Sequence, residues 1–175
     1  MNDQSHSRPS TDTTDADGLL APSVDPDRPL IGIRRVSMRN EASTRSVMMV
    51  RDHVVVSDEK ESNTGPTPLE MTLSSLLGCE GVIINRCAEG MKFKYSAVDI
   101  EADGTVDQRG SRGVQGVRPY FQGVRMRIRV HTEEPDDRFA RLRRNVEYRC
   151  PVMNLFREAG VELDVQWEKV APWAA

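Results

Sequence analysis

Two cysteines stand in sequence contexts that could support thiol chemistry. Cys150 directly precedes Pro151, a residue favoured in the first turn of a helix, so Cys150 is expected to cap a helix N-terminus. The free amide groups and the dipole of that terminus favour a thiolate, and Arg149 adds positive charge. This context predicts a lowered pKa for Cys150, although the position also suits a cysteine that only packs under the helix.

Cys79 has a different setting, because it lies about three turns inside a long apolar segment that is predicted to be helical. The helix dipole acts mainly within the first turn, and burial alone raises the pKa of a thiol. A nucleophilic Cys79 would therefore need a cation brought by tertiary structure or by a second subunit. The alternative is an inert core cysteine, which is also what we expect of Cys87, rotated from Cys79 by about 80° on the helix.

Composition and charge exclude several classes of function. The net charge of −3 gives no basis for binding nucleic acid, and no apolar stretch reaches the roughly 20 residues that span a bilayer. Residues 1–10 are polar and do not resemble a signal peptide, so we expect a cytoplasmic protein. The three histidines lie far in sequence from any cysteine, and no CxxC pair is present, so no metal site is expected.

The chain of 175 residues suits one domain preceded by a tail. Residues 1–29 are rich in Ser, Thr, Asp and Pro and are predicted to be disordered. The domain is predicted to cover 30–175. Apolar and β-branched residues separated by polar turns predict its first three strands, at 30–38, 44–50 and 53–57.

A long helix is predicted from Thr67 to Glu89, ended by Gly90. Thr67 is a suitable N-cap, Pro68 suits the first helical position, and Glu70 completes a capping box. Apolar residues surround most of this helix, which is typical of a central, buried one. Gly78 and Gly81 flank Cys79 and predict the close approach of another backbone.

The remaining elements complete an α+β fold with antiparallel sheet. They are strands at 94–102, 124–130 and 161–168, a hairpin loop at 109–113, and helices at 136–149 and 151–159. Arg125, Arg127 and Arg129 alternate with apolar residues, and the acids of the last strand could lie opposite them.

Three other charged residues are candidates for the site. Glu70 has a structural explanation in the capping box, but its carboxylate could also hold an arginine. Arg39 and Arg45 lie at the turn between the first two strands, from which either could reach a neighbouring active site. A solvated surface arginine is the simpler alternative for both.

Two segments of the chain resemble the motifs of the OsmC/Ohr family. The run Asn-Thr-Gly-Pro-Thr-Pro-Leu-Glu-Met at 63–71, continuing to Leu-Leu-Gly-Cys-Glu-Gly at 76–81, is similar to the central-helix motif of that family. Arg-Cys-Pro-Val-Met-Asn at 149–154 is similar to its second cysteine motif. The resemblance covers about 30–170, with the elements in matching order.

The resemblance implies an OsmC-like fold in an intertwined homodimer, with antiparallel sheets of both chains wrapped around the central helices. It also implies a thiol-dependent peroxidase of oxidative stress defence that reduces organic or hydrogen peroxides. Cys79 would attack the peroxide, and Cys150 would resolve its sulfenic acid as a disulfide. A dithiol such as a dihydrolipoyl protein would be the reductant, without a metal or other cofactor, and Arg45 or Arg39 would activate Cys79.

One departure from the family pattern bears on activity. Ohr-type members have a glutamate directly after the motif proline, whereas here Leu69 follows Pro68 and Glu70 comes one place later. One residue turns a helical side chain by about 100°. The alternative hypothesis is therefore a non-enzymatic OsmC-like dimer that binds an apolar ligand or a partner in its interface pocket.

Overall fold

The computed structural model of the chain describes residues 18–172. Six strands and four helices occur there, all within 37–170. In chain order they are β1 (Ser37–Asn40), β2 (Ser46–Val50), β3 (His53–Ser57), α1 (Pro68–Met91), β4 (Ala97–Val106), α2 (Gln108–Ser111), β5 (Phe121–His131), α3 (Asp136–Arg149), α4 (Pro151–Glu158) and β6 (Glu162–Val170).

The strands form two separate three-stranded sheets. The first has the order β1-β2-β3 and is antiparallel throughout, with a two-residue turn at Arg51 and Asp52 between β2 and β3. The second has the order β4-β5-β6, and here β5 pairs antiparallel with β4 but parallel with β6. The prediction of purely antiparallel sheet is therefore wrong for β6. The chain leaves the end of β5 and passes through α3 and α4, which bring it back to the end of the sheet where β5 begins. Because β6 starts there, it runs in the same direction as β5.

The core lies between the second sheet and the helices α1 and α3. One face of β5 is fully buried against these helices, and the matching positions of β6 continue that face. The central core side chains are those of Leu76, Ile84, Met126, Ile128, Leu142 and Val146. Among residues 18–172, no helix has the length and apolar content needed to cross a membrane.

The opposite face of the second sheet carries paired charges, as predicted from the arginine row. In register, Arg125, Arg127 and Arg129 lie between the acids of β4 and those of β6. Arg127 contacts Glu101 at 3.3 Å on one side and Glu168 at 3.6 Å on the other. These cross-strand pairs favour the observed strand register, since a shift by one residue would turn the arginines into the core.

The start of α1 is as predicted, and its end is not. Thr67 caps the helix and forms the full capping box with Glu70. At the other end the helix passes Gly90 and stops at Lys92, which has a left-handed φ of 51°. Burial of Met91 in the core accounts for the extra residues. Gly90 serves instead as a contact point, because a Cβ there would meet the side chain of Leu20 at 3.2 Å.

Within one chain α1 is buried on one side only, although the sequence predicts a helix buried nearly all round. Its outward face includes Ser75, Gly78 and Val82, and Val82 is 50% exposed. In the described part of the chain, a Cβ built on Gly78 or Gly81 would meet no atom within 4 Å beyond its chain neighbours and the nearby backbone of α1 itself. The close backbone approach predicted at these glycines is therefore not made by residues 18–172.

Part of the segment that was predicted to be a tail packs on the domain. Residues 1–17 lie outside the described part, but Gly18 to Leu20 are held against α3. The side chain of Asn145 accepts a hydrogen bond from the Leu20 amide at 2.8 Å, and Arg149 donates one to the Leu20 carbonyl. Conversely, 30–36 form no strand, because no neighbouring strand of the described chain lies beside them to accept their backbone hydrogen bonds.

The last helices follow the sequence closely. α3 has the predicted bounds, α4 begins at Pro151 as predicted, and Gly160 ends that segment with a left-handed φ of 71°. The hairpin loop predicted between β4 and β5 contains one short helical turn, α2, capped by Asp107.

We expect the charged face of the second sheet to contribute measurably to stability. Replacing Arg127→Glu would place like charges beside Glu101 and Glu168, and should lower the free energy of unfolding by about 1 kcal/mol in urea denaturation at low salt. The matched control is Arg112→Glu, whose hydrogen-bond partner is the neutral Gln108 side chain. Equal losses in the two variants would show that the cross-strand pairs contribute nothing.

Candidate active site

The structure brings Cys79 and Cys150 together, although 71 positions separate them in sequence. Both thiols are free, and their sulfur atoms lie 3.4 Å apart, with the Cys150 thiol donating toward Cys79 Sγ. A disulfide bond is about 2 Å long, so small side-chain rotations would allow the two sulfurs to bond. The pair is therefore placed for reversible thiol–disulfide chemistry.

The elements around the pair fix its position. Cys79 lies at the edge of the buried side of α1, and Cys150 is the single residue between the end of α3 and the start of α4. Cys150 acts as the N-cap of α4, since its sulfur accepts a hydrogen bond from the Met153 amide at 3.4 Å. The N-cap position predicted for Cys150 is thus confirmed.

The predicted acidity of Cys150 is wrong. Its side chain is fully buried, and burial raises the pKa of this thiol well above its ordinary value. The neighbouring Glu80 carboxyl adds to the rise, while the Met153 amide opposes it. Desolvation therefore outweighs the helix N-terminus, and Cys150 is mainly a protonated thiol at neutral pH. Cys79 is only half-buried, so it is the more accessible of the two cysteines.

Glu80 is the third member of the site, next to Cys79 in sequence. Its side chain has no exposure to solvent, and neither carboxyl oxygen has a hydrogen-bond partner among residues 18–172. Burial raises the pKa of Glu80 to about 7, and the negative charge of Glu147 adds to the rise. The Cys150 thiol and Arg157 act in the opposite direction. Near neutral pH, Glu80 can therefore exist in both protonation states.

A comparison with protein families decides the classification. A family model described as OsmC-like protein matches residues 60–166, well over half of the chain. This chain belongs to the OsmC-like protein family. The matched segment contains both cysteines and Glu80, together with all the elements from α1 to α4. No curated protein sequence matches the chain significantly.

Solved structures show the same fold. An OsmC-like protein from Mycoplasma pneumoniae superposes with a TM-score of 0.70 at 16% identity, covering 81% of this chain and 99% of that one. The organic hydroperoxide resistance protein OsmC from Legionella pneumophila gives 0.60 at 12% identity, with 80% and 99% covered. OhrB of Bacillus subtilis, also an organic hydroperoxide resistance protein, gives 0.55 at 16% identity, with 79% and 98% covered. At these identities the likeness establishes the OsmC-like fold.

The other predicted site residues lie away from the cysteines in this OsmC-like chain. Arg39 pairs with Glu41 at 3.1 Å, and Arg45 acts electrostatically on Asp58, so both belong to the first sheet and its loops. The Glu70 carboxylate accepts a hydrogen bond from the Thr67 amide at 2.7 Å, and this contact lowers the pKa of Glu70. Within one chain, none of the three completes the site.

Cys87 is a core residue, as the sequence suggests. It is 1% exposed, and burial raises the pKa of its thiol, with Arg149 opposing the rise. The charge of Arg149 thus acts on the Cys87 thiol, and its guanidinium donates a hydrogen bond to the Leu20 carbonyl. The sequence suggested instead that Arg149 would act on Cys150.

Sequence reasoning missed Glu80, although the pattern contains a signal for it. Leu76, Ile83, Ile84 and Cys87 are spaced from Glu80 by −4, +3, +4 and +7, which places the carboxyl in the middle of the buried helix face. A charged residue at such a core position is rare and indicates a special environment.

The raised pKa of Glu80 predicts a pH dependence of stability. Its ordinary pKa is 4.5 and its folded value about 7, so the folded chain binds this proton more tightly than the unfolded chain does. The contribution of Glu80 to stability is therefore lost as the pH rises from 4.5 through 7, by about 3 kcal/mol in total. We expect Glu80→Gln to gain stability relative to the wild type over this range, measured by urea denaturation at fixed protein concentration.

The matched control for this measurement is Glu89→Gln, at an exposed position of the same helix. Its difference from the wild type should be constant between pH 5 and 8. A constant difference for Glu80→Gln as well would show that Glu80 titrates normally in the folded protein.

Proposed function

We propose that this OsmC-like protein is a thiol-dependent peroxidase that reduces organic or hydrogen peroxides in oxidative stress defence. The observation that carries the proposal is the 3.4 Å separation of the Cys79 and Cys150 sulfurs, with Cys79 half-buried and Cys150 fully buried. A peroxide can reach only a cysteine that has some exposure, so Cys79 is the attacking residue and Cys150 the resolving one. Relatives of this fold are described as organic hydroperoxide resistance proteins.

The reaction has three steps. The Cys79 thiolate attacks one oxygen of the peroxide, and the O–O bond breaks. The released alkoxide or hydroxide takes from solvent the proton that the thiol lost on ionisation, and departs as an alcohol or water. Cys79 is then a sulfenic acid, and attack by the Cys150 sulfur forms the disulfide and releases water. A dithiol such as a dihydrolipoyl protein reduces the disulfide and returns both thiols.

Activation of Cys79 requires a cation, and among residues 18–172 no hydrogen bond or ion pair brings one to its sulfur, whose hydrogen-bond partner is Cys150. Arg39 and Arg45 line a concave surface of about 520 Å³ on the first sheet, together with Met38 and Met49. In the proposed intertwined homodimer, this surface of one chain covers the Cys79 region of the other. Either arginine would then stabilise the thiolate through its charge.

The exposed apolar residues of the first sheet and of the segment 30–33 that precedes it support a dimer. Leu30, Ile31 and Ile33 are 83%, 88% and 84% exposed, and Met38 and Val54 are also largely exposed. So many strongly exposed large apolar side chains in one part of the chain are unusual on a monomer and are typical of an interface. The open face of α1 at Gly78 and Gly81 lies on the same chain and can accept a second backbone closely.

A second candidate function rests on an apolar cavity beside the start of α1. It has a volume of about 240 Å³ and lies between α1, α4 and the start of β5. Its lining residues are Thr72, Tyr120, Phe121, Leu155, Phe156, Ala159 and Val161. A non-enzymatic OsmC-like dimer could hold an apolar ligand there, and such binding would not need the thiols.

The peroxidase proposal predicts different defects in the two cysteine variants. With dihydrolipoamide as reductant, the wild type should consume tert-butyl or cumene hydroperoxide, and Cys79→Ser should fall to the uncatalysed rate. In the absence of the dithiol, Cys150→Ser should consume one equivalent of peroxide and then stop, leaving a sulfenic acid that a dimedone probe detects by mass spectrometry.

Cys87→Ala is the control, because Cys87 lies in the core and has no part in the reaction. Its turnover should equal that of the wild type after correction for any lost stability. An inactive wild type, or an active Cys79→Ser, would overturn the proposal. Tight binding of a fatty acid to Cys79→Ser without turnover in the wild type would favour the second candidate.

The dimer proposal predicts that charges in the exposed segment 30–33 weaken association. Ile31→Glu and Ile33→Glu each remove an apolar side chain that the proposed interface would bury in both subunits. Each loss should raise the dimer dissociation constant by roughly 30-fold per subunit, measured by sedimentation equilibrium. Val114→Glu is the matched control, since Val114 is a half-exposed apolar residue in the connection between β4 and β5. A wild type that is monomeric at micromolar concentration would refute the dimer.

A further inference from the structure

The site contains a carboxyl group that the peroxidase steps described above do not use. Glu80 is fully buried and lacks a hydrogen-bond partner among the described residues, yet it interacts with the thiol of Cys150. Burying a carboxyl without partners is costly, so its place beside two reactive sulfurs calls for a chemical role.

The buried position of Cys150 creates the need for such a group. Its sulfur is a poor nucleophile while it carries a proton, and its side chain has no exposure through which bulk water could remove that proton. In the resting site the thiol donates toward Cys79 Sγ, which leaves the neighbouring Glu80 oxygens unpartnered. Once Cys79 carries an oxygen, this resting arrangement is lost and the thiol needs another acceptor.

We propose that Glu80 is the proton acceptor and donor of the resolving step, taking the thiol proton from Cys150 and returning it to the hydroxide that leaves Cys79. This role rests on the proposed peroxidase function and adds a catalytic residue to it. The Glu80 carboxylate accepts the proton, and the Cys150 thiolate attacks the sulfur of the Cys79 sulfenic acid. The S–S bond forms as the S–O bond breaks.

The step balances without any further reactant. The leaving hydroxide takes the proton from the Glu80 carboxylic acid and departs as water, which regenerates the carboxylate. Cys150 is oxidised and the sulfenic sulfur of Cys79 is reduced, so one carboxylate moves one proton from the attacking sulfur to the leaving oxygen. The titration of Glu80 near pH 7 suits a group that must both accept and donate at neutral pH.

The charged and titratable groups around Glu80 come from three helices. Glu147 of α3 disfavours the carboxylate, and Arg157 of α4 favours it. Glu147 is itself paired with Arg143 at 2.8 Å, and Arg157 donates to Asn154. On α1, Cys87 lies within electrostatic reach of Glu80, but burial keeps its thiol protonated. Of the two acids, only Glu80 acts directly on Cys150.

The proposal is tested with an oxidant that does not depend on peroxide reduction. In the full-length chain with Cys87→Ala, the disulfide reagent DTNB reacts first with the accessible Cys79 and releases one thionitrobenzoate. Attack of Cys150 on the resulting mixed disulfide releases a second. The rate of this second release, measured by stopped flow between pH 5 and 9, reports deprotonation and attack by Cys150.

The two possible roles of Glu80 predict opposite effects of Glu80→Gln on the rate of the second release. If Glu80 is the base, Glu80→Gln slows the second release on the order of 100-fold and abolishes the rate inflection near pH 7. If Glu80 acts only through its charge, its removal lowers the pKa of Cys150 and accelerates the second release. An unchanged or faster rate overturns the proposal. Glu89→Gln, at an exposed position of the same helix, is the matched control and should behave as the parent.

Glu147→Gln gives an independent test if Glu80→Gln does not fold. Removing this charge should lower the pKa of Glu80 and move the rate inflection to lower pH, without abolishing it. An inflection that stays in place overturns the proposal. A Glu80-dependent second release in a chain that consumes no peroxide would support the role of Glu80 while refuting the peroxidase. Normal peroxide turnover by Glu80→Gln would refute the role of Glu80 and leave the peroxidase standing.

Discussion

The packing of α1 against α3 is the constraint on which the rest of the site depends. Leu76 and Ile84 of α1 and Leu142 and Val146 of α3 are all fully buried, so the two helices cannot slide past each other without opening cavities. This packing fixes the end of α3, and with it Cys150, against the middle of α1. The cysteine pair is thus held by the core of the OsmC-like domain and not by a loop.

The same packing has opposite effects on the chemistry of the two cysteines. It removes water from Cys150, and the loss of solvation outweighs the favourable amide of Met153. A helix N-terminus therefore does not by itself create an acidic thiol, because its effect has to exceed the cost of burial. Cys79 keeps partial exposure on the flank of α1, and this difference, more than local sequence, supports the two proposed roles.

The sequence predicted what local rules decide. The capping box at Thr67, the restart of the helix at Pro151 and the pairing of Arg127 with strand acids all depend on a few neighbouring residues or on simple alternation. The parallel pairing of β6 and the contact of Leu20 with Gly90 depend on how distant segments pack, which no local pattern records. The environment of Glu80 could not be predicted for a related reason. Its burial follows from its position on the helix face, but the groups that act on it come from α3 and α4.

The proposed dimer and the proposed base divide the activation of the two sulfurs between chains. Cys79 would receive a cation from the partner's first sheet, whose apolar surface and arginines are left open by the fold of one chain. Cys150 would be served by Glu80 of its own chain, which no solvent can replace at that depth. On this view attack on the peroxide depends on association and resolution does not. Dilution of the protein should therefore slow the attack of Cys79 on the peroxide, and it should leave the rate of resolution by Cys150 unchanged.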